Sequence, residues 1–536
     1  MSVLARLRPI PPRLFRLSAS SLAWLDFALI FALALALRLH GLGAKPLWID
    51  EIVTKQRVAL PFRALLADTL SHHHTPTYFL LLSQLSPGAN AFLLRLPSAI
   101  GGAFAAAFGG MVGRALAERF GAGRAGGLMA GLMLAAAPVM VQFGQDSRPY
   151  PMELACLMLA LWGLVVIACD EEAAGGSWRS GLRAWSAFLI GTAGALSLIG
   201  DALPFLLAAN LSASVIACRL AGAARKRFLI RWILGQAAVL LAVAPLYLAM
   251  SRAIDDRYMV AFAWVPPLTA LRAWEVGATV YLLRIGNMVS LKLLPGHLPG
   301  LMLLAPLLAA AGCVALRRQP AALTVMVLAI LSLPVLLFLS EPARPLILPR
   351  YLLWSGGVYL VLAGVGAAWL ARRWRQTGTL VPVALAGVLL INLFPYYRDE
   401  TIPRWDKAAA ALAPALAKGA DLFLDDHGVP MMLRYYLPGG DMAPLDSDAG
   451  LPDNRLLFDL GAAEAKLRAG TPVIAVHGPS GQAITTRTST FHARVRPLGT
   501  PAAETAIGRE IVLIRFNPPA GPAPGPLEAS DVRPNP

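Results

Sequence analysis

The chain has 536 residues, of which 57% are hydrophobic and only 15% charged. Soluble domains carry about 45–50% apolar and about 25% charged residues, so part of the solvent here is lipid; disordered, collagen-like and disulfide-scaffold classes are excluded. The net charge of +16 does not mark a nucleic-acid binder, because Lys and Arg gather in short clusters between apolar runs, as the positive-inside rule describes.

A run of about 20 apolar residues crosses a bilayer as a helix. Eleven runs approach that measure: 22–39, 92–113, 125–142, 151–169, 185–200, 202–218, 232–250, 298–316, 321–340, 351–371 and 379–396. Only Gly200-Asp201 divides the fifth from the sixth. The first run sits behind a basic leader and lacks a small-residue cleavage pattern, so it reads as a span and not as a cleaved signal. Basic clusters before span one (Arg6, Arg8, Arg13, Arg16) and after spans two, four, six, eight and ten all fall on one side of an eleven-span layout. That side is the cytoplasm, which places the N-terminus inside and the C-terminus outside.

Between spans one and two, the stretch Ile52 to Leu70 has helical spacing of apolar residues and suits an interfacial position. Segment 251–297 is a second semi-polar outer loop with an amphipathic stretch near 268–285. From 397 the composition becomes that of a soluble α/β module. Strands are expected at 420–424, 472–476 and 510–516, with helices at 404–418, 429–437 and 459–468. The Pro-rich tail 517–536 reads as disordered. The four cysteines lie in or beside apolar runs and read as small core residues. No repeat of 20–50 residues is present.

Four constellations carry chemistry, all beside outer span ends. Pro46-Leu47-Trp48-Ile49-Asp50-Glu51 sets two carboxylates at the membrane surface, where desolvation is costly. One of them can act as a general base on a hydroxyl; the bland alternative is an acid pair opening a helix. His72-His73-His74-Thr75-Pro76-Thr77-Tyr78 follows. One or two of its histidines, with Asp50 or Glu51, can hold a divalent cation or contact phosphate, or form only a polar lip. Gln145-Asp146-Ser147-Arg148-Pro149-Tyr150 offers a guanidinium fork for phosphate, or an Asp146–Arg148 brace. Glu153 lies one turn deeper. Arg344, Arg350 and Tyr351 stand on the side where basic residues are scarce and suit anion capture. Lys55 and Lys292 are weaker candidates of that kind. Asp201 reads as a turn residue, and Arg95-Leu96-Pro97-Ser98-Ala99 as helix packing.

These pieces, in this order, resemble the bacterial GT-C glycosyltransferases of the family 39 and 83 type, related to protein O-mannosyltransferases and aminoarabinose transferases. The resemblance is clearest over 24–170 and returns at Pro349-Arg350-Tyr351 and Tyr435-Tyr436. It implies an all-α polytopic fold of about eleven transmembrane helices (1–396), with a long first periplasmic loop and a small periplasmic α/β domain (397–516). It also implies residence in the bacterial inner membrane. The implied reaction is inverting transfer of a sugar from a polyprenyl-phosphate donor to a glycan, lipid or protein acceptor of the envelope, lipopolysaccharide among them.

In the family's pattern Asp50 takes the place of the catalytic base, with Glu51 beside it. His73, His74, Tyr78, Asp146, Arg148, Tyr150, Arg350 and Tyr351 are the expected substrate and phosphate contacts. A divalent cation, Mg or Mn, would sit at Glu51 and His74. The chain departs from the family at Asp146, where Glu is common, at His74-Thr75-Pro76 for His-Pro-Pro, and at Gly200-Asp201. A transporter of lipid-linked sugars is the rival class, but it predicts related halves and mid-membrane charges, and neither is visible.

Overall fold

The structure is a computed structural model. It describes residues 18–85, 89–253, 265, 267–294, 302–343, 345–374, 380–424, 428–437, 455–479 and 488–518. The basic leader, Arg344 and most of the Pro-rich tail lie outside the described residues.

The chain enters through α1 (Ala19–Leu39), capped by Ser18, whose side chain accepts from the Ser21 N–H. Three short helices follow: α2 (Ile49–Val58), α3 (Phe62–Ser71) and α4 (Thr77–Leu82). The expected helical stretch from Ile52 is thus two helices, with Pro61 at the N-cap of the second. The central bundle is α5 (Ala91–Glu118), α6 (Gly123–Ala136), α7 (Pro138–Gly144) and α8 (Tyr150–Cys169), then α9 (Glu171–Gly175), α10 (Leu182–Leu198), α11 (Leu203–Arg219) and α12 (Gly222–Ala253). Next, α13 (Ala270–Tyr281) matches the amphipathic stretch. After it come α14 (Leu304–Leu316), α15 (Pro320–Ser340), α16 (Leu353–Arg373) and α17 (Leu380–Arg398).

Helices occupy all eleven expected span positions, but among the described residues seven are long and apolar enough to cross a membrane alone. An eighth counts if α6 and α7, bent by 59° at their junction, form one span. The remaining three, Leu182–Leu198, Leu304–Leu316 and Val383–Arg398, are shorter apolar helices of 10–17 residues. Exposed apolar side chains such as Trp24, Ile233, Leu241, Phe338 and Val383 need a lipid environment. The protein is therefore a multi-pass membrane protein, although helix length does not carry the count of eleven.

Small residues set the spacing of the core. A Cβ on Gly113 would meet Ala130 Cβ at 2.4 Å, and one on Gly366 would meet the Leu308 carbonyl oxygen at 1.9 Å. Close backbone approach replaces hydrophobic drive between helices in lipid.

The C-terminal part is α18 (Trp405–Ala417), β1 (Asp421–Leu424), α19 (Val429–Tyr436), β2 (Leu456–Leu457), α20 (Leu460–Arg468), β3 (Val473–His477), α21 (Thr488–Val495), β4 (Ala503–Ile507) and β5 (Ile511–Phe516). The sheet order is β2-β1-β3-β5-β4, with β1 parallel to β2 and β3, and β5 antiparallel to β3 and β4. The expected strands are its three central ones. β4 and the two-residue β2 are edges without an apolar run to announce them. One core joins this module to the first long loop: Trp48, Ile49 and Ile52 pack with Trp405, Leu412, Met432 and Leu433.

Candidate functional site

The site forms where three segments between the long helices meet: the start of α2, the loop between α7 and α8, and the turn before α16. Trp48 is the N-cap of α2, so Asp50 and Glu51 fall in its first turn, where the helix dipole favours carboxylates. The helical periodicity then separates them by about 100°. Glu51 points inward and is fully buried. Its two oxygens accept from Arg95 Nε and Nη2, both at 2.6 Å, and Oε1 also accepts from the Ser147 N–H at 3.0 Å. Arg95 further donates to the carbonyls of Leu42, Lys45 and Pro46. This pair is the brace of the first loop. Asp50 points outward and keeps 26% side-chain exposure.

Over Asp50 sit two arginines. Arg350 Nη1 donates to Asp50 Oδ2 at 3.0 Å, and Arg148 Nη2 lies 4.0 Å from the same oxygen. Arg148 is nearly buried, and its Nε meets no acceptor. Asp146 does not supply the missing charge. Burial, with Glu51 close by, holds its carboxyl well above the ordinary carboxylate range. Its Oδ1 accepts from Trp48 Nε1 at 2.9 Å. Among the described residues, the Asp50 carboxylate thus faces two guanidinium groups.

Aromatic rings wall this pocket. Tyr150 and Tyr351 meet edge to face at 6.1 Å, and the Arg350 guanidinium lies 5.4 Å from the Tyr351 ring and 5.8 Å from the Trp48 ring. Beyond Arg350 lies a narrow crevice of about 20 Å³, lined by Trp48, Phe143, Met288, Val289, Leu291 and Leu348 with the polar Gln142 and Asn287.

The histidine run divides. His72 pairs with Asp68 at 3.3 Å, and that contact raises its pKa. His73 takes a left-handed turn at φ 55°. His74 is kept neutral by burial and by the nearby Arg148 and Arg57, which push its pKa well below the ordinary value. Tyr78 is fully buried, its hydroxyl bonded to Ser98 Oγ at 2.9 Å and near Ser147 Oγ at 3.4 Å. It braces the loop that presents Arg148, whose carbonyl accepts from Ser98 at 2.8 Å.

The cation expected at Glu51 and His74 does not fit. Both Glu51 oxygens are committed to Arg95, and among the described residues no three His, Cys, Asp or Glu side chains converge as a metal group. Sequence reasoning treated Arg95 as helix packing only and missed Lys45. Lys45 Nζ donates to the Tyr396 carbonyl at 2.9 Å and Thr401 Oγ1 at 2.7 Å, and burial lowers its pKa to about 7. Its partners lie some 350 positions away, so no local pattern announces it.

These features define a class: a multi-pass membrane protein that gathers the charges of this site at one end of a helical bundle. Among solved structures, the chain shares the fold of ArnT from Cupriavidus metallidurans in the apo state, with a TM-score of 0.52 and 15% identity over 93% of this chain and 98% of that one. The same protein bound to undecaprenyl phosphate aligns with a TM-score of 0.49 and 16% identity, over 94% of this chain and 100% of that one. No protein-family model matches the chain, and no curated protein matches it.

Proposed function

We propose that the protein is an inverting glycosyltransferase of the GT-C type. It would move a sugar from a polyprenyl-phosphate donor to a glycan, lipid or protein acceptor on the periplasmic side of the bacterial inner membrane. The observation that carries this reading is the single Asp50 carboxylate set against Arg148 and Arg350. Two guanidinium groups set together suit a phosphodiester, and a guanidinium fork matches its oxygens.

In this reading Arg148 and Arg350 hold the donor phosphate, which is already a good leaving group. They stabilise the charge that develops on it as the sugar–oxygen bond breaks. Phosphate draws Arg350 away from Asp50 and so releases the carboxylate. Asp50 then takes the proton of the acceptor hydroxyl as it attacks from the opposite face of the sugar. Clustering of charge at one outer end supports transfer over transport, which needs groups along the midplane.

The test is donor binding and single-turnover rate on purified, folded protein. Asp50→Asn keeps shape and should lose ~10²–10⁴-fold in rate with donor affinity little changed. Arg148→Ala should weaken donor binding by ~2–5 kcal/mol, with partial recovery in Arg148→Lys. Turnover near wild type in Asp50→Asn would sink the assignment.

A further inference from the structure

A cavity of about 270 Å³ lies far from the Asp50 pocket, with walls from α1, α5, α8 and the start of α6. Arg114, on its α5 wall, stands about 28 Å along that helix from Arg95, the brace of the first loop. The cavity is therefore at the other end of the bundle. Its wall changes character along the helices. Ile30, Ala107, Met111 and Trp162 make an apolar part, and Asp26, Arg114, Glu118 and Arg124 gather nearer the helix ends. From Ala107 to Glu118 this grading runs over about 16 Å. Trp24 and Phe104, exposed on the neighbouring turns of α1 and α5, set the cavity beside lipid.

Asp26 is buried and collects both arginines, Arg124 Nη2 at 3.1 Å and Arg114 Nη1 at 3.5 Å. Two guanidinium groups carry more N–H donors than one carboxylate accepts, and the Arg124 side chain keeps 56% exposure. Arg124 is also the second residue of α6, whose start has no side-chain cap; a helix N-terminus favours an anionic group. Glu118, 60% exposed, accepts from Arg114 Nε at 3.3 Å. A void of this size takes far more than one water, and water needs polar partners that the apolar wall does not offer. The matching occupant has an apolar chain and a charged end.

We propose that this cavity binds one bilayer phospholipid with a primary-amine headgroup, of the phosphatidylethanolamine type. Its phosphate sits on Arg114, Arg124 and the first turn of α6, and one acyl chain lies along Met111 and Ala107. Guanidinium forks match phosphodiester oxygens, and basic pockets between transmembrane helices hold lipid headgroups. Glu118 selects the rest of the headgroup. An ammonium donates to its carboxylate, whereas choline has no N–H to donate and a glycerol headgroup has no cation. The bound lipid packs α1 against α5 and α8, and α1 leads into the first loop. The lipid site does not depend on the transferase reading.

The experiment is lipid binding to the delipidated full chain in detergent, read by native mass spectrometry. The probes are phosphatidylethanolamine, phosphatidylcholine and phosphatidylglycerol with equal acyl chains. Wild type should hold one phosphatidylethanolamine about 5-fold more tightly than either rival, and that lipid should raise its melting temperature. Glu118→Gln should erase the preference over phosphatidylcholine and keep binding itself. Arg124→Gln should weaken all three lipids about 5-fold. Ala115→Phe fills the cavity without touching a charge. It should abolish tight binding and melt no lower than delipidated wild type. Equal binding of the three lipids to wild type overturns the proposal, as does a preference for phosphatidylglycerol. Tight binding that survives both Arg124→Gln and Ala115→Phe puts the lipid elsewhere and overturns the site. Binding is read without sugar donor, so its failure leaves the transferase reading intact, and an active Asp50→Asn leaves the lipid site intact.

Discussion

Asp50 and Glu51 are neighbours in sequence with opposite fates, and the 100° turn between them is the reason. Glu51 is buried and saturated by Arg95, so its removal is a structural injury; Asp50 keeps access to ligand and meets the two arginines. Asp146 shows how burial changes a residue that pattern alone would call a brace for Arg148. Its raised pKa means that the folded state binds the proton more tightly than the unfolded chain. The associated stability is therefore full below the ordinary carboxylate range near 4. It is lost as pH rises through the folded pKa. Asp146→Asn keeps an acceptor for Trp48 Nε1 and has no proton to lose. Its melting temperature should fall less than that of wild type between weakly acid and alkaline pH, measured by scanning fluorimetry. Parallel curves would refute the neutral-carboxyl reading.

At the scale of elements, the break between α6 and α7 shapes the site, because α7 delivers the Arg148 loop. Pro138 has no N–H, so the Leu134 carbonyl four residues earlier loses its helical partner. Arg38, at the end of α1, repairs this. It donates to the carbonyls of Leu134 at 3.2 Å, Ala135 at 3.1 Å and Met140 at 3.0 Å. The guanidinium passes between Gly102 and Gly144, where a Cβ would come within 2.4 and 2.6 Å of Arg38 Nε. Arg38→Met should orphan those carbonyls at a cost of ~1–3 kcal/mol each, seen as a lower melting temperature in detergent. Gly102→Val should do the same by expelling the side chain. A melting temperature unchanged in both would show that the break is held elsewhere. A second element is the β4–β5 hairpin. Glu510 accepts from Asn287 Nδ2 at 2.7 Å and Ser290 Oγ at 2.5 Å, fastening the loop that lines the crevice beside Arg350.

For the whole molecule, the C-terminal module and the first long loop form one body. Tyr436 donates to the Leu47 carbonyl at 2.8 Å, and Lys55 Nζ to the Tyr435 hydroxyl at 3.1 Å, so α19 rests on the helix that carries Asp50. Both must then lie on one side of the membrane. Topology reporters fused after Arg375 and after Arg434 should report the cytoplasmic and the outer side respectively. Two cytoplasmic signals would refute the proposed orientation and displace the site with it.

The sequence by itself determined the membrane class, the positions of the helices and the three central strands, because apolar length and period are local properties. It also singled out Asp50, Arg148 and Arg350, since charges beside outer span ends stand out against an apolar background. Tertiary structure alone decided how those charges pair. Arg95 reaches Glu51 across 44 positions, Arg350 reaches Asp50 across 300, and Lys45 reaches Thr401 across 356. Burial sets the charge state and freedom of each group, and burial is fixed by contacts between segments that no window of sequence contains.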